Sequence, residues 1–355
     1  MSQPTTDWKT TANPIVDTRA TKPRPWILRV LSTRAAMIFI LNIVIFVAFN
    51  IQSHGLFSSV MSVQSMLLTG TESLLLALGL AMLLGAGIFD LSLGANLVLS
   101  SVMAATVMRS MLGTSATGEV TGDVNAAIWA GLATAVVTGA IFGLVNGLLV
   151  AYARMNALIA TLGTLGIATG LAYVVSKGAD ISGLPQQLQS NFGLAKVGDM
   201  PLPTIVAIVV AVVLLLVVRF TRFGMRTLSI GSSRAAAERV GIKVPQHLLL
   251  LAVIAGGLAG VAGFIDISHF AGTSMNGHAN DALNAVTAAV IGGTLLEGGR
   301  ISILGTIWGA ALAVLLQSGL VMVGVSSYYQ LMAVGLVLIL AVGLDRFSAA
   351  RRKKS

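Results

Sequence analysis

Apolar residues fall along this chain in long uninterrupted blocks, with no strict alternation and no narrow helical stripe. The first block, 35–51, follows a polar stretch that carries Pro4, Pro14, Pro23, Pro25 and six Lys/Arg. Further blocks lie near 64–87, 92–112, 126–150, 157–176, 203–220, 247–270, 282–294, 302–322 and 328–344. A helix needs about 20 apolar residues to cross a ~30 Å hydrocarbon core. The pattern therefore predicts an all-α integral membrane protein with about ten transmembrane helices. Gly-rich polar stretches near 85–94 and 292–301 predict broken helices, and eight spans plus re-entrant segments is the alternative count. The block 35–51 has no small-residue cleavage site after it and reads as a retained span, not a signal peptide. The organisation expected is a largely disordered arm over 1–34, a transmembrane domain over 35–345 with a polar loop at 221–246, and a basic tail over 346–355.

Composition agrees. Charged residues make up 10% of the chain and hydrophobic residues 55%, with a mean hydropathy of +0.89. Soluble proteins carry roughly a quarter charged residues, and a water-soluble globule of this length could not cover its surface with so few. Disorder, collagen, coiled coil and a nucleic-acid-binding domain are excluded on the same ground. The net charge of +9 is a matter of placement: 17 of the 22 Lys/Arg lie before residue 35, between Arg219 and Lys243, or between Arg346 and Lys354. Ten spans put all three segments, and both termini, in the cytosol, as the positive-inside rule asks. The loop 113–125, charged only at Glu119 and Asp123, then falls outside.

Candidate chemistry is sparse. There is no cysteine, hence no disulfide framework or thiolate metal site. No Gly-Lys dipeptide is present for a phosphate-binding loop, and neither HExxH nor GxSxG occurs. His54, His247, His269 and His278 are scattered; His269 and His278 share an outside loop and read as solvated, so no metal site is expected. Nothing points to catalysis within the chain.

Ionisable groups inside a membrane are costly and call for a functional hypothesis. Glu72 reads as lying on the outer edge of its span, Asp266 as an interfacial carboxylate near an outer helix end, and Glu297 and Arg300 as a pair in a short cytosolic turn. Asp90 sits in the polar break Gly85–Gly94 and has two readings: a cap for the amides that start the next helix, or a group lining a polar path. Small-residue steps recur at Gly139/Gly143/Gly147, Gly166/Gly170, Gly256/Gly260 and Gly305/Gly309. They permit close helix packing, within the bundle or between subunits. In the loop, Ser232–Val240 predicts a short helix capped by Ser232 or Ser233 and closed by Gly241. It is either a docking element for a cytosolic partner or a basic membrane-surface helix.

At this loop the sequence resembles the permease subunits of bacterial ABC importers for ribose, xylose, arabinose, galactosides and related sugars. Thr221, Phe223, Gly224, Gly231, Ala236, Ala237, Gly241 and Ile242 match that family's loop phrase in register; Met225, Ser233 and Val240 depart from it, and Arg226 follows where an Arg is displaced by one residue. Gly87-Ile-Phe-Asp-Leu-Ser-Leu-Gly94 is similar to the family's GIDLSVG with Phe89 inserted, and Ala160–Thr164 is similar to its ATLGT after Asn156-Ala157. Val290–Thr294, Gly298–Arg300 and Gly305-Thr306 resemble its VIGGTSL-x-GGRGS-x-x-GT, with Leu295 and Ile301 departing. Ala282 stands where the family commonly carries Glu, beside Asp281.

The resemblance implies a pore-forming subunit paired with a second copy or a homologous permease in the bacterial inner membrane. It implies two cytosolic ATPases that carry ATP and Mg, no cofactor in this chain, and a periplasmic sugar-binding protein docking outside. The residues expected to couple to the ATPase are Gly224, Arg226, Gly231, Ser233, Ala236, Ala237, Glu238 and Gly241. A solute as polar as a monosaccharide or polyol needs hydroxyl and amide partners in transit, and Asp90, Ser92, Asn96, Asn146, Asn156, Thr161, Thr164, Asn284 and Gln317 are the candidates. Two other readings stand beside this one: a permease of the same superfamily for a non-sugar such as branched-chain amino acids, and an ion-coupled transporter using Glu72, Asp90 or Asp266.

Overall fold

The computed structural model describes residues 34–114, 120–278 and 280–326, together with 329, 332, 335 and 336. Its helices of six residues or more are α1 (Arg34–Gln52), α2 (Val60–Gly85), α3 (Leu93–Met111), α4 (Val124–Gly147), α5 (Ala157–Ser176), α6 (Leu202–Phe220), α7 (Arg222–Ser232), α8 (Arg234–Arg239), α9 (Val244–Phe270), α10 (Asp281–Ile291) and α11 (Ile303–Met322). A π-helical turn, Leu148–Tyr152, extends α4. Among the described residues, strand is confined to two short antiparallel pairs in loops, Gly113–Thr114 with Val120–Thr121 and Lys196–Val197 with Met200–Pro201.

Helix ends follow local chemistry. Ser59 caps α2 by accepting from Ser62 N at 3.3 Å, Asp123 caps α4 by accepting from Ala126 N at 3.0 Å, and Ser302 caps α11 by accepting from Gly305 N at 3.2 Å. Among the described residues, eight helices are long and apolar enough to cross a membrane: α1 to α6, with α4 counted through its π-turn, α9 and α11. The block 282–294, expected as a span, forms only the 11-residue α10. At 1.5 Å per residue that is about 16 Å, half of a hydrocarbon core. Gly292 and Gly293 end it, the latter with φ 94°. The expected span 328–344 lies almost wholly outside the described residues, as do the arm before Arg34 and the basic tail.

The most buried spans are α2, α3 and α9, which form the centre of the bundle. α1, α5 and α6 lie at the periphery and expose apolar side chains such as Val44, Val174 and Val209, as spans facing lipid do. α4 packs along α9 with backbone against backbone. A Cβ on Gly139 would overlap the Gly256 carbonyl oxygen, and one on Gly143 would overlap that of Ala252. These glycines serve internal packing. Gly166 and Gly170 on α5 have nothing within 4 Å of a Cβ position, so their step packs against no other part of the described chain.

The loop after α6 holds two helices. Within 232–240 the expected short helix is α8, and a separate helix, α7, precedes it and ends at Ser232. Ser232 is the last residue of α7; Ser233 is the cap, accepting from Ala236 N at 3.3 Å. Gly241 closes α8 with φ 84°, in the left-handed region a C′ glycine occupies.

Candidate functional site: the coupling loop and the Asp90 break

The loop is keyed to both broken segments of the bundle through one glycine. Gly231, near the end of α7, meets the carbonyl oxygen of Gly85 at the end of α2 and the amide of Gly299 in the turn before α11; a Cβ there would overlap both. Gly299 N also donates to the Gly85 carbonyl oxygen at 3.0 Å. Three chain segments thus converge with no side chains between them. Gly298 and Gly299, both at positive φ, give the turn the shape that permits this approach. Glu297 and Arg300 flank these glycines and form no ion pair with each other, contrary to the sequence expectation.

The remaining loop residues divide by exposure. Gly224 packs against the Val218 backbone and Ala237 is buried. Met225, Glu238 and Val240 face outward. Arg234 and Glu238 form an exposed i,i+4 pair at 3.3 Å. Beside them, Gly87, Arg154, Met155, Gly231, Ser233 and Arg234 help line a cleft of about 400 Å³ between the α2 break, the end of α4 and the loop.

The break between α2 and α3 is organised by Asp90, which is buried. Its Oδ1 accepts from Ser92 N at 2.8 Å and Ser92 Oγ at 2.6 Å, and its Oδ2 accepts from Asn146 Nδ2 at 3.2 Å. The same Asn146 amide donates to Ser92 Oγ at 2.7 Å. Thr161 of α5 closes the group, with its hydroxyl 3.4 Å from Leu91 N. The void beside these residues measures about 10 Å³, at most one water. In this conformation Asp90 ties α4 to the broken end of α3, and Thr161 holds α5 against the same break through the Leu91 amide.

The other path candidates do not join this group. Asn96 donates to the Gly139 carbonyl at 3.2 Å and Thr164 to that of Thr161 at 3.3 Å. Asn156 is exposed and caps α5, accepting from Leu158 N at 3.0 Å. Asn284 is half-buried on α10, and exposed Gln317 borders a cleft of about 440 Å³ between α2 and α11.

A second buried polar cluster was missed at the sequence level. Glu72 lies mid-helix in α2 and is buried, not at an outer edge. Asp266 of α9 is 1% exposed, and His278, expected to be solvated, is 9% exposed. The His278 ring stands between Asp266 Oδ1 at 3.2 Å and Asp281 Oδ2 at 2.7 Å. Burial works against a charge on this ring, but its hydrogen bonding to Asp266 and Asp281 and their negative charge hold its pKa up at about 11. His278 and Asp281 are three residues apart, but Glu72 of α2 and Asp266 of α9 reach them only through the packing of the helices.

The family model described as "Branched-chain amino acid transport system / permease component" matches residues 62–342. The chain belongs to this permease family. It is 36% identical over 281 residues to the ribose import permease protein RbsC of Bacillus subtilis (strain 168), covering 78% of this chain and 82% of that protein. It is 30% identical to the galactose/methyl galactoside import permease protein MglC of Haemophilus influenzae, over 84% of this chain and 90% of the relative. It is 27% identical to the D-allose transport system permease protein AlsC of Escherichia coli (strain K12), over 93% and 97%. No solved structure matches it. The ABC import permease expected from the loop is thus the family found, and the residues that match its loop phrase fall on α7, α8 and their ends.

Proposed function

We propose that this permease conducts a monosaccharide or related polyol across the bacterial inner membrane, delivered by a periplasmic binding protein and driven by ATP and Mg held on separate ATPase subunits. The observation that carries the mechanism is the contact of Gly231 with Gly85 and Gly299. A push on α7 and α8 reaches the end of α2 and the turn before α11 through backbone alone, with no flexible side chain to absorb it. The ATPase would engage the loop through outward-facing Arg226, Arg234 and Glu238, while Gly224, Gly231, Ala237 and Gly241 hold its shape. The sugar class is supported by the names of the ribose, galactoside and allose relatives.

The Asp90–Ser92–Asn146 group closes one end of the proposed path in this conformation, and rigid movement of α4 and α5 away from the α3 break would open it. Asn96, Asn156, Thr161, Thr164, Asn284 and Gln317 remain proposed partners for a solute in transit. A second permease, a copy or a homologue, would supply the other wall.

The test is uptake into inside-facing vesicles containing the permease, its ATPase and its binding protein. ATP-dependent sugar uptake that ignores an uncoupler is expected. Uptake that collapses with the uncoupler and ignores ATP would overturn the ABC mechanism, and uptake of leucine with exclusion of sugars would overturn the substrate class.

A further inference from the structure

Far along the bundle from the loop, α2, α9 and the segment leading into α10 bring together donors that the transport reading does not use. Glu72, Asp266 and His278 each offer one ligand atom, and these atoms lie within 4.8 Å of one another. Glu72 is 7% exposed and Asp266 1%. Glu72 Oε1 and Asp266 Oδ2 have no hydrogen-bond partner among the described residues, and Asp266 Oδ1 faces His278 Nε2 at 3.2 Å. Two buried carboxylates that share a single imidazole leave oxygens unsatisfied, which is costly unless a cation meets them.

The imidazole is oriented for that purpose. His278 Nδ1 lies 2.7 Å from Asp281 Oδ2, and a carboxylate there accepts the Nδ1 proton and fixes the tautomer. Without a metal the charged ring donates its Nε2 proton to Asp266 Oδ1, 3.2 Å away, and a metal cation at Nε2 would take the place of that proton. A ligating histidine whose other nitrogen is held by a carboxylate is the usual outer-shell arrangement at a metal. The separation is also near the ligand–ligand spacing of about 3.4 Å that zinc bonds of about 2.1 Å require in a tetrahedron.

We infer that Glu72, Asp266 and His278 form a binding site for a divalent first-row transition cation of the zinc class, with Asp281 as the residue that orients the imidazole. One such cation neutralises the two buried carboxylates, and the mixed nitrogen and oxygen donor set favours it over calcium or magnesium. Its binding would tie the middle of α2 to the far end of α9 and the start of α10. The inference does not depend on which solute the permease carries.

The full chain, purified without a histidine tag and stripped with a chelator, should be titrated with zinc chloride alone. Bound metal is then counted by mass spectrometry after gel filtration, and the melting temperature is followed in parallel. One zinc per chain with a raised melting temperature is expected, and calcium at the same concentration should produce neither. His278→Gln, Glu72→Gln and Asp266→Asn should each lose the zinc. Asp281→Asn, at the more exposed edge of the cluster, should keep the stoichiometry and weaken affinity about 10- to 100-fold. Wild-type protein that retains no zinc would overturn the inference and leave a proton as the group that satisfies the cluster. Equal zinc binding by wild type and His278→Gln would also overturn it, placing the metal on the other histidines.

Discussion

No side chain fits at Gly231, because even a Cβ there would overlap the carbonyl oxygen of Gly85. That carbonyl already accepts from Gly299 N at 3.0 Å, so it cannot retreat without breaking the turn before α11. Gly231→Ala should therefore separate the loop from the broken end of α2. Overpacking of this kind costs about 1–3 kcal/mol. We expect a variant that inserts in the membrane and melts several degrees lower, with transport reduced far more than ATPase binding. Normal uptake by Gly231→Ala would remove the contact from the mechanism.

The exposed face of α8 gives a complementary variant. Arg234 and Glu238 are both about half exposed, and such a pair contributes little to stability, ~0–1 kcal/mol. Glu238→Lys should leave melting nearly unchanged and weaken copurification of the ATPase. Ser233→Ala, by contrast, loses the cap of a six-residue helix at a cost of about 1 kcal/mol. If Glu238→Lys retains the ATPase and transports normally, docking lies elsewhere.

Asn146 is the donor that satisfies Asp90 Oδ2 and Ser92 Oγ together. Asn146→Ala strips both acceptors in a buried site and should destabilise by about 1–3 kcal/mol. Asn146→Asp should be worse, since it sets a second carboxylate against Asp90. Thermal unfolding in detergent ranks the three proteins, and an unchanged Asn146→Ala would show that the group does not hold α4 to the α3 break.

Two glycines in similar sequence contexts should respond oppositely. Gly143→Ala drives a methyl into the Ala252 carbonyl oxygen, whereas Gly166→Ala meets nothing within 4 Å. Gly143→Ala should lower stability by about 1–3 kcal/mol and Gly166→Ala should be neutral or slightly stabilising within the isolated subunit. Comparable melting of the two would contradict the α4–α9 packing.

The membrane class and most span positions were legible along the chain, because lipid demands a long apolar block for each crossing and that demand is local. The loop helix was legible for a similar reason: Thr221, Ser233 and Gly241 each act on backbone within a few residues of themselves. The length of α10 was harder to read. Its apolar block runs to 294, but the helix ends at Ile291, where Gly292 is pressed against the Gly305 backbone of α11.

What the tertiary structure alone decided were the meetings of residues distant in sequence. Which GxxxG face is internal depended on Gly256 and Gly260 of α9 lying opposite Gly139 and Gly143 of α4. Asp90 became a tether because Asn146 reaches it across 56 positions. His278, which looks like a solvated loop residue in the sequence, is buried between Asp266 and Asp281. Hydropathy sums the preference of each residue for lipid or water along the chain. It carries no term for a partner brought in by another helix, and such partners decide what a buried carboxylate or imidazole in this protein does.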